Sequence, residues 1–163
     1  MTDNNLWFLR EYNNMGCAKV AEKIGVSPST YSQWEHSRIA IPTRRLVDLA
    51  NFYDINIDYI MKLTTVKRRI RTKTTIDLIA IGARIKEIRK SLGLSLRDLG
   101  KELNYSFSAL SSYERGQYLV QSDILITLSK KTNYSIDWIL GRKKQKYISD
   151  SKPNPANKAK SFY

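Results

Sequence analysis

The apolar residues of this chain recur with the spacing of short amphipathic helices, in two similar sets. Leu6, Leu9 and Tyr12, for example, fall on one face of a helix. A gapless shift of 79 residues places segment 6–62 on segment 85–141 and keeps nearly every apolar position apolar. Because chance seldom preserves core positions over such a length, we interpret the chain as two copies of one module.

Capping signals predict where several helices begin. Ser27 and Ser106 precede the third helix of the two copies, and their side chains are suited to cap it. Pro28 fits the first turn of that helix, because a missing N–H needs no partner there. Ser95, followed three residues later by Asp98, predicts a capping box at the second helix of the second copy.

The other helix ends follow from similar signals. The third helices are predicted at 28–36 and 107–115, and Gly116 is expected to end the latter in a left-handed conformation. Thr43 and Ser122 are predicted to cap the fourth helices, and a short fifth helix follows in each copy. No segment shows the alternation of a strand, so the fold class is predicted to be all-α, with five helices in each copy.

The charge of the chain is distributed unevenly and divides it further. The formal net charge is +13, and ten of these positive charges lie in residues 63–79 and 142–163. We predict a first domain at 1–63, a basic linker at 64–78, a second domain at 79–143 and a disordered basic tail at 144–163. The basic segments favour contacts with a polyanion, and the alternative is that they only keep the protein soluble.

The most specific segments of the two copies are VAEKIGVSPSTYSQWE and LGKELNYSFSALSSYERG, which are followed by LVDLANFYDINIDYIM and LITLSKKTNYSIDWILG. The first two resemble the helix-turn-helix of Cro/cI-type (XRE) repressors, and the last two are similar to that family's fourth and fifth helices. The resemblance implies two tandem Cro/cI-like helix-turn-helix domains. Cys17 and Leu96 stand where the family often has a glutamine that touches a phosphate.

The resemblance also implies that the third helix of each copy contacts the major groove of double-stranded DNA. The DNA-binding residues expected in the first copy are Ser27, Pro28, Ser29, Thr30, Ser32, Gln33 and Arg38. Those expected in the second copy are Arg97, Ser106, Phe107, Ser108, Ser111, Ser112 and Arg115, and those in the linker are Lys67, Arg68, Arg69 and Arg71. Gln33 is the best candidate for base reading because its amide can pair bidentately with adenine, whereas Phe107 fits either a thymine methyl group or a protein partner.

Two pairs of opposite charge align between the copies, Arg10 with Glu35 and Arg89 with Glu114. In the family that the chain resembles, this pair forms a largely buried bridge between the first and third helices. We therefore expect two bidentate structural ion pairs, one in each copy.

The resemblance predicts a sequence-specific DNA-binding transcriptional regulator, a repressor of the phage or mobile-element type. The alternative is a protein-interaction module on the same scaffold, such as an antitoxin or a phage-encoded inhibitor, with reduced or no operator binding. Trp7 and Phe8 give the first helix more apolar surface than one small helix needs. This surplus favours either a homodimer through one module or a contact between domains. No small-molecule effector is apparent from the sequence.

An enzyme is the least supported class. With one histidine, one cysteine and no phosphate-binding glycine loop, the chain offers no catalytic constellation, and we expect neither a cofactor nor a metal. Cys17 cannot form an internal disulfide and is expected to be a small, partly buried apolar residue. No apolar run is long enough to span a bilayer and no signal-peptide pattern is present, so we predict a cytoplasmic protein without membrane contact.

Overall fold

The computed structural model describes residues 3–148, which form two compact units that divide between Thr74 and Thr75. The first unit contains α1 (Leu6–Tyr12), α2 (Cys17–Ile24), α3 (Pro28–Glu35), α4 (Thr43–Tyr53) and α5 (Ile57–Ile60). The second contains α6 (Leu78–Ser91), α7 (Leu96–Leu103), α8 (Phe107–Glu114), α9 (Ser122–Thr132) and α10 (Ile136–Ile139). Residues 3–148 contain no β-strand beyond two isolated bridges, so the predicted all-α class is confirmed.

Each unit is built around its own apolar core, to which the helices contribute most of their predicted faces. Tyr12, which the spacing predicts on the apolar face of the first helix, is instead 68% exposed. In the first unit, Leu6 and Leu9 of α1 are buried together with Leu46 and Leu49 of α4. In the second unit the same role falls to a matching set, which comprises Ile85, Ile88, Leu125 and Leu128. Within residues 3–148, no helix is long and apolar enough to cross a membrane.

The first helix differs most between the two units. α6 begins at Leu78, seven residues before Ile85, which is the counterpart of the first residue of α1. The additional turns pack against the end of α8 at Gly82, where an added Cβ would lie 2.4 Å from the carbonyl oxygen of Tyr113 and 2.7 Å from that of Glu114. Because only glycine permits so close an approach, Gly82 fixes how α6 meets α8.

The predicted caps of α7 and α8 are confirmed, and those of the fourth helices are wrong. The Ser95 side chain accepts from the Asp98 amide at 3.1 Å, and the Asp98 carboxylate accepts in return from the Ser95 amide. Gly116 ends α8 with a φ of +68°. Thr43 and Ser122, however, are the first helical residues of α4 and α9, and neither helix has a side-chain cap bond. Each helix begins one residue earlier than predicted, so Pro42 and Gln121 occupy the N-cap positions.

The predicted linker 64–78 does not extend freely between the domains. Its residues up to Thr74 belong to the first unit, where Asn56 donates its backbone N–H to the Arg68 carbonyl at 3.1 Å. Ile70 donates in turn to the Asp54 carbonyl at 2.9 Å. These backbone bonds hold the segment 66–70 against the junction of α4 and α5.

The start of the predicted tail 144–163 is held in the same way. Ser135 donates its backbone N–H to the Lys146 carbonyl at 2.8 Å, and Ile148 donates to the Asn133 carbonyl at 3.0 Å. The repeat therefore continues beyond the gapless alignment, with 67–70 and 145–148 in equivalent places after a one-residue offset. The rest of the predicted tail, 149–163, lies outside the described residues.

Candidate nucleic-acid interface

The second and third helices of each unit form a helix-turn-helix. Three residues join α2 to α3, and Gly25 in this turn has a φ of +70°. Three residues also join α7 to α8, and Asn104 has a φ of +56° at the matching place. A short turn with a left-handed residue is typical of this motif. We call α3 and α8 the recognition helices.

A serine side chain sets the start of each recognition helix. Ser27 Oγ accepts from the backbone N–H of Thr30 at 3.1 Å, and Ser106 Oγ accepts from that of Ala109 at 3.1 Å. Pro28 occupies the first turn of α3, as predicted. Because these bonds satisfy donors that would otherwise lack a partner, both helices begin at a defined residue.

The buried side of each recognition helix determines which residues face outward. Tyr31 and Trp34 of α3 are buried in the first unit, as are Leu110 and Tyr113 of α8 in the second. Burial raises the pKa of Tyr31, whose hydroxyl lies 3.2 Å from that of Tyr53, so the phenol remains neutral. The two buried residues of each helix lie three positions apart and form an apolar stripe on this side. The polar residues between them in the sequence remain accessible.

An arginine–glutamate pair ties α1 to the C-terminal end of α3. Arg10 donates from Nη2 to Glu35 Oε1 at 2.7 Å and from Nε to Oε2 at 3.0 Å. Its Nη1 donates to the carbonyl oxygen of Met15 at 2.9 Å. The hydrogen bond with Glu35 raises the pKa of Arg10, so the guanidinium stays charged throughout the accessible pH range. These bonds hold α3 at a fixed angle to α1.

The second unit repeats these three contacts. Arg89 donates from Nε to Glu114 Oε1 at 2.6 Å and from Nη2 to Oε2 at 2.9 Å. Its Nη1 donates to the carbonyl oxygen of Leu94, the counterpart of Met15, at 2.9 Å. The Glu114 hydrogen bond raises the pKa of Arg89. Both recognition helices are therefore oriented by the same kind of arginine–glutamate ion pair.

The outward side of α3 carries short hydroxyls and one amide. Ser27, Pro28 and Ser29 are exposed, while Thr30, Ser32 and Gln33 are half-buried. The Gln33 Nε2 lies 3.5 Å from Ser29 Oγ, which is at the limit of a hydrogen bond. Since so weak an intramolecular bond is readily exchanged, the Gln33 amide can donate to and accept from a base edge.

The outward side of α8 has a different chemistry. Phe107 and Ser108 are exposed, and Ser111 and Ser112 are half-buried. An open groove of about 560 Å³ runs beside the helix, and its lining includes Ser106, Ser108, Ala109, Ser112, Tyr118 and Leu119. α8 thus offers hydroxyls and apolar surface, without the amide that Gln33 provides in α3.

Three arginines predicted to contact DNA lie near these helices. Arg38 is exposed two residues after the C-cap of α3, and Arg97 is exposed in the first turn of α7. Arg115 follows α8 directly, and its guanidinium donates to Ser111 Oγ at 2.9 Å and to Gln117 Oε1 at 3.1 Å. Arg115 is therefore held beside its recognition helix.

The basic segment formed by Lys67, Arg68, Arg69 and Arg71 is exposed along the first unit. Lys67 Nζ lies 4.3 Å from the centre of the Tyr12 ring, which holds this ammonium group over α1. The backbone bonds of 66–70 carry the neighbouring arginines on an ordered strand-like segment. The segment therefore presents its cations from a fixed place on the first unit.

Two cations around the start of the predicted tail are engaged within the second unit. The Arg142 side chain is completely buried and donates from Nε to Asp137 Oδ1 at 3.0 Å. Lys146 pairs with Glu87 and lies over the Trp138 ring. Sequence reasoning missed both roles because the segment was interpreted by its charge alone. The common pattern of KRRI at 67–70 and QKYI at 145–148 was the signal that could have revealed them.

Cys17 adds a contact to the ion pair of the first unit. Its thiol, partly buried as predicted, donates to Glu35 Oε2 at 3.6 Å. Burial raises the pKa of the Cys17 thiol, so it remains protonated and able to donate near neutral pH. Leu96 occupies the matching place in the second unit, so this contact is specific to the first.

Comparisons with protein families agree with the geometry of both units. A family model described as a helix-turn-helix domain matches residues 4–66. A second model, described as helix-turn-helix, matches residues 85–139. Each unit therefore matches a helix-turn-helix family model, which is consistent with two copies of an XRE-type helix-turn-helix domain in this chain.

Two curated proteins of Bacillus subtilis (strain 168) are similar to part of the chain. The uncharacterized HTH-type transcriptional regulator YobD is 39% identical over 56 residues, which cover 34% of this chain and 50% of that protein. The HTH-type transcriptional regulator ImmR is 34% identical over 64 residues, which cover 39% of this chain and 50% of that protein. The chain thus spans about half the length of the curated relatives it matches. No solved structure gives a significant match.

Proposed function

We propose that this protein is a DNA-binding transcriptional regulator in which α3 and α8 enter the major groove. The observation that carries this proposal is the repeated recognition helix, with a serine cap, a buried apolar side, an accessible polar side and an ion pair at its end. Such a rigid helix is what base reading requires, because its side chains must reach base edges in a fixed register. The names of the two relatives support the same class of function.

The two copies are proposed to read different base sequences. Gln33 is suited to adenine, since its amide can accept from the N6 amino group and donate to N7 at the same time. Its counterpart in α8 is Ser112, whose single hydroxyl cannot form such a pair. A DNA site bound by one chain should therefore consist of two unlike halves.

The proposed regulatory mechanism is repression by occupation. A protein bound across both half-sites excludes polymerase from overlapping DNA, and no effector is needed for that step. The test is selection of bound sequences from a random DNA pool with the full chain, followed by footprinting of the selected site. We expect an asymmetric, bipartite site. Absence of any enriched sequence would contradict the proposal.

The exposed basic segment is proposed to contact phosphates beside the first recognition helix. Replacing Lys67, Arg68, Arg69 and Arg71 by glutamine should reduce the slope of log affinity against log salt concentration by about 0.9 for each phosphate that is no longer neutralised. A truncated chain that ends at Ile148 tests residues 149–163 separately. It keeps residues 145–148, which are hydrogen-bonded to the rest of the second unit. An unchanged slope in the glutamine variant would show that this segment does not touch DNA.

A homodimer through the first unit is the second candidate, and a specific surface favours it. Trp7, Phe8 and Tyr12 are 56%, 48% and 68% exposed on α1. Their counterparts on α6 are the polar residues Lys86, Glu87 and Ser91. Pairing of two chains would convert the bipartite site into a longer palindrome. Mass measurement of the free protein and of the DNA complex distinguishes one chain from two, and Trp7→Ser should abolish any dimer.

A further inference from the structure

The recognition helix of the second unit begins with an exposed aromatic ring. Phe107, the first residue of α8, is 52% exposed, and the cap bond of Ser106 fixes the backbone beside it. The first unit has Pro28 in this place. The buried side of α8 is already occupied by Leu110 and Tyr113, so the ring is not part of the core of its own unit. Its accessible apolar surface is available to a partner.

Apart from the paired Glu114, α8 itself carries no amide, carboxylate or guanidinium that could identify a base by hydrogen bonds, and the amide in the groove beside it, that of Gln121, belongs to the start of α9. Ser108 and Ser112 offer only short hydroxyls, and Ala109 adds a methyl group to the same groove. The guanidinium of Arg115, which follows α8, is bonded to Ser111 and to Gln117. Discrimination by α8 must therefore rely on shape and apolar contact more than on bidentate pairing.

The major groove presents one apolar group, the 5-methyl of thymine, and phenylalanine and alanine are suited to contact it. We propose that the second unit recognises thymine through this methyl group, with Phe107 as the contacting residue. The inference rests on the proposed DNA binding and names the base that α8 selects. It assigns adenine reading to Gln33 in one half-site and thymine-methyl reading to Phe107 in the other.

The test replaces thymine by deoxyuridine in the half-site of the second unit, within the DNA selected from a random pool. Deoxyuridine keeps the Watson–Crick pairing and the O4 acceptor and lacks only the methyl group. For the full chain we expect about a fourfold loss of affinity for each contacted thymine, which is the effect of burying one apolar group of this size. Thymines outside the footprint of the second unit should tolerate the replacement.

The assignment to Phe107 is tested by combining the DNA change with protein variants. Phe107→Ala should bind the thymine site more weakly and should be indifferent to deoxyuridine, because the ring that packs on the methyl group is absent. Phe107→Leu, which keeps an apolar side chain, should retain most of the sensitivity. Ile79→Ala is the control for removal of an exposed apolar side chain elsewhere in the second unit, since Ile79 is 68% exposed on α6, and it should leave the deoxyuridine effect unchanged. Circular dichroism checks that each variant is folded.

The outcomes separate this inference from the proposed function. The thymine assignment is overturned if deoxyuridine has no effect on affinity. It is also overturned if deoxyuridine lowers the affinity of Phe107→Ala and of the unaltered chain equally. Both results leave DNA binding intact. Unchanged DNA affinity of Phe107→Ala would assign the ring to a protein partner instead and also overturns it. Failure to select any DNA overturns both proposals together.

Discussion

The two units share an internal frame and differ on their surfaces. Arg10 and Arg89 make the same three kinds of contact, down to the carbonyl of the residue five positions later. The outward residues of α3 and α8, in contrast, have different chemistry, with Gln33 in one and Phe107 in the other. The comparison teaches that the orientation of a recognition helix and the identity of what it reads are specified by separate sets of residues.

The first helices show a second difference of the same kind. α1 is short and leaves Trp7, Phe8 and Tyr12 largely exposed, whereas α6 is longer and packs onto α8 at Gly82. The second unit thus has a longer first helix with an additional helix contact, whereas the first unit has additional exposed aromatic surface. Four substitutions test what these differences contribute to stability and to DNA binding.

The largest effect is expected from the ion pairs. Glu35→Gln and Glu114→Gln each leave a desolvated guanidinium without its carboxylate and should cost roughly 3–5 kcal/mol of the free energy of unfolding. The loss should be greater in the first unit, because the Glu35 side chain is 1% exposed against 6% for Glu114 and also accepts from Cys17. Hydrogen exchange followed by mass spectrometry reports each unit separately.

The control for this prediction is an exposed pair in the first unit. Arg45 Nη1 lies 3.0 Å from Asp48 Oδ2, and about a third of each side chain is exposed. Asp48→Asn should therefore cost less than about 1 kcal/mol of the free energy of unfolding. An effect of Glu35→Gln no larger than that of Asp48→Asn would show that the buried bridge does not stabilise the unit.

The second change tests the helix contact that only the second unit has. Gly82→Ala places a methyl group against the carbonyls of Tyr113 and Glu114 and should cost about 1–3 kcal/mol, with faster exchange in α6 and α8. Ala83→Ser, at the next and exposed position, should change stability by no more than about 0.5 kcal/mol. Equal stability of the two variants would mean that α6 can shift without cost.

The third change concerns base reading by the first unit. Gln33→Ala should weaken binding to the selected site by about 1–3 kcal/mol while sparing random DNA, because the variant removes only the hydrogen bonds to the base. Ser112→Ala alters the matching position of α8 and should have a smaller effect, since one hydroxyl cannot form the bidentate pair that the Gln33 amide can form with a base. Equal losses on selected and random DNA would show that Gln33 only positions the backbone.

The smallest effect is expected at the start of the second helices. Gly16 is the N-cap of α2 without a side-chain bond, whereas Ser95 caps α7. Ser95→Ala should cost about 1 kcal/mol, and Ser95→Gly, which copies the first unit, only a few tenths. Hydrogen exchange at the first turn of α7 measures both. A larger loss for Ser95→Gly than for Ser95→Ala would contradict the capping explanation.

The capping box also carries a weak pH dependence. The Ser95 side chain holds the pKa of Asp98 below its usual value, so this contribution is present above the usual range of an aspartate and is lost as the pH falls through the lowered pKa. Gly16 has no side chain to make such a bond. Acidification should therefore loosen the first turn of α7 more than that of α2.

Much of the fold could be predicted from local chemistry. The spacing of residues such as Leu6 and Leu9 indicated the helices, and Ser27, Ser95 and Ser106 indicated where three of them begin. These signals work because a helix needs an apolar stripe and a partner for its first N–H groups, both of which are encoded within a few residues. The gapless repeat then extended the core pattern and the serine cap of the third helix from one copy to the other.

The rest depended on contacts between residues distant in the chain. Thr43 and Ser122 have the right type for a cap, but in the folded unit each is already the first helical residue, after Pro42 and Gln121. Arg68 and Lys146 were interpreted by charge, yet their carbonyls pair with Asn56 and Ser135 because a backbone acceptor is independent of its side chain. Gly82 shows no helical or capping signal, and its role exists only because α8 passes within contact distance. Periodicity and caps act within a few residues and can be predicted from the sequence. Burial and backbone pairing join residues distant in the chain and exist only in the assembled unit.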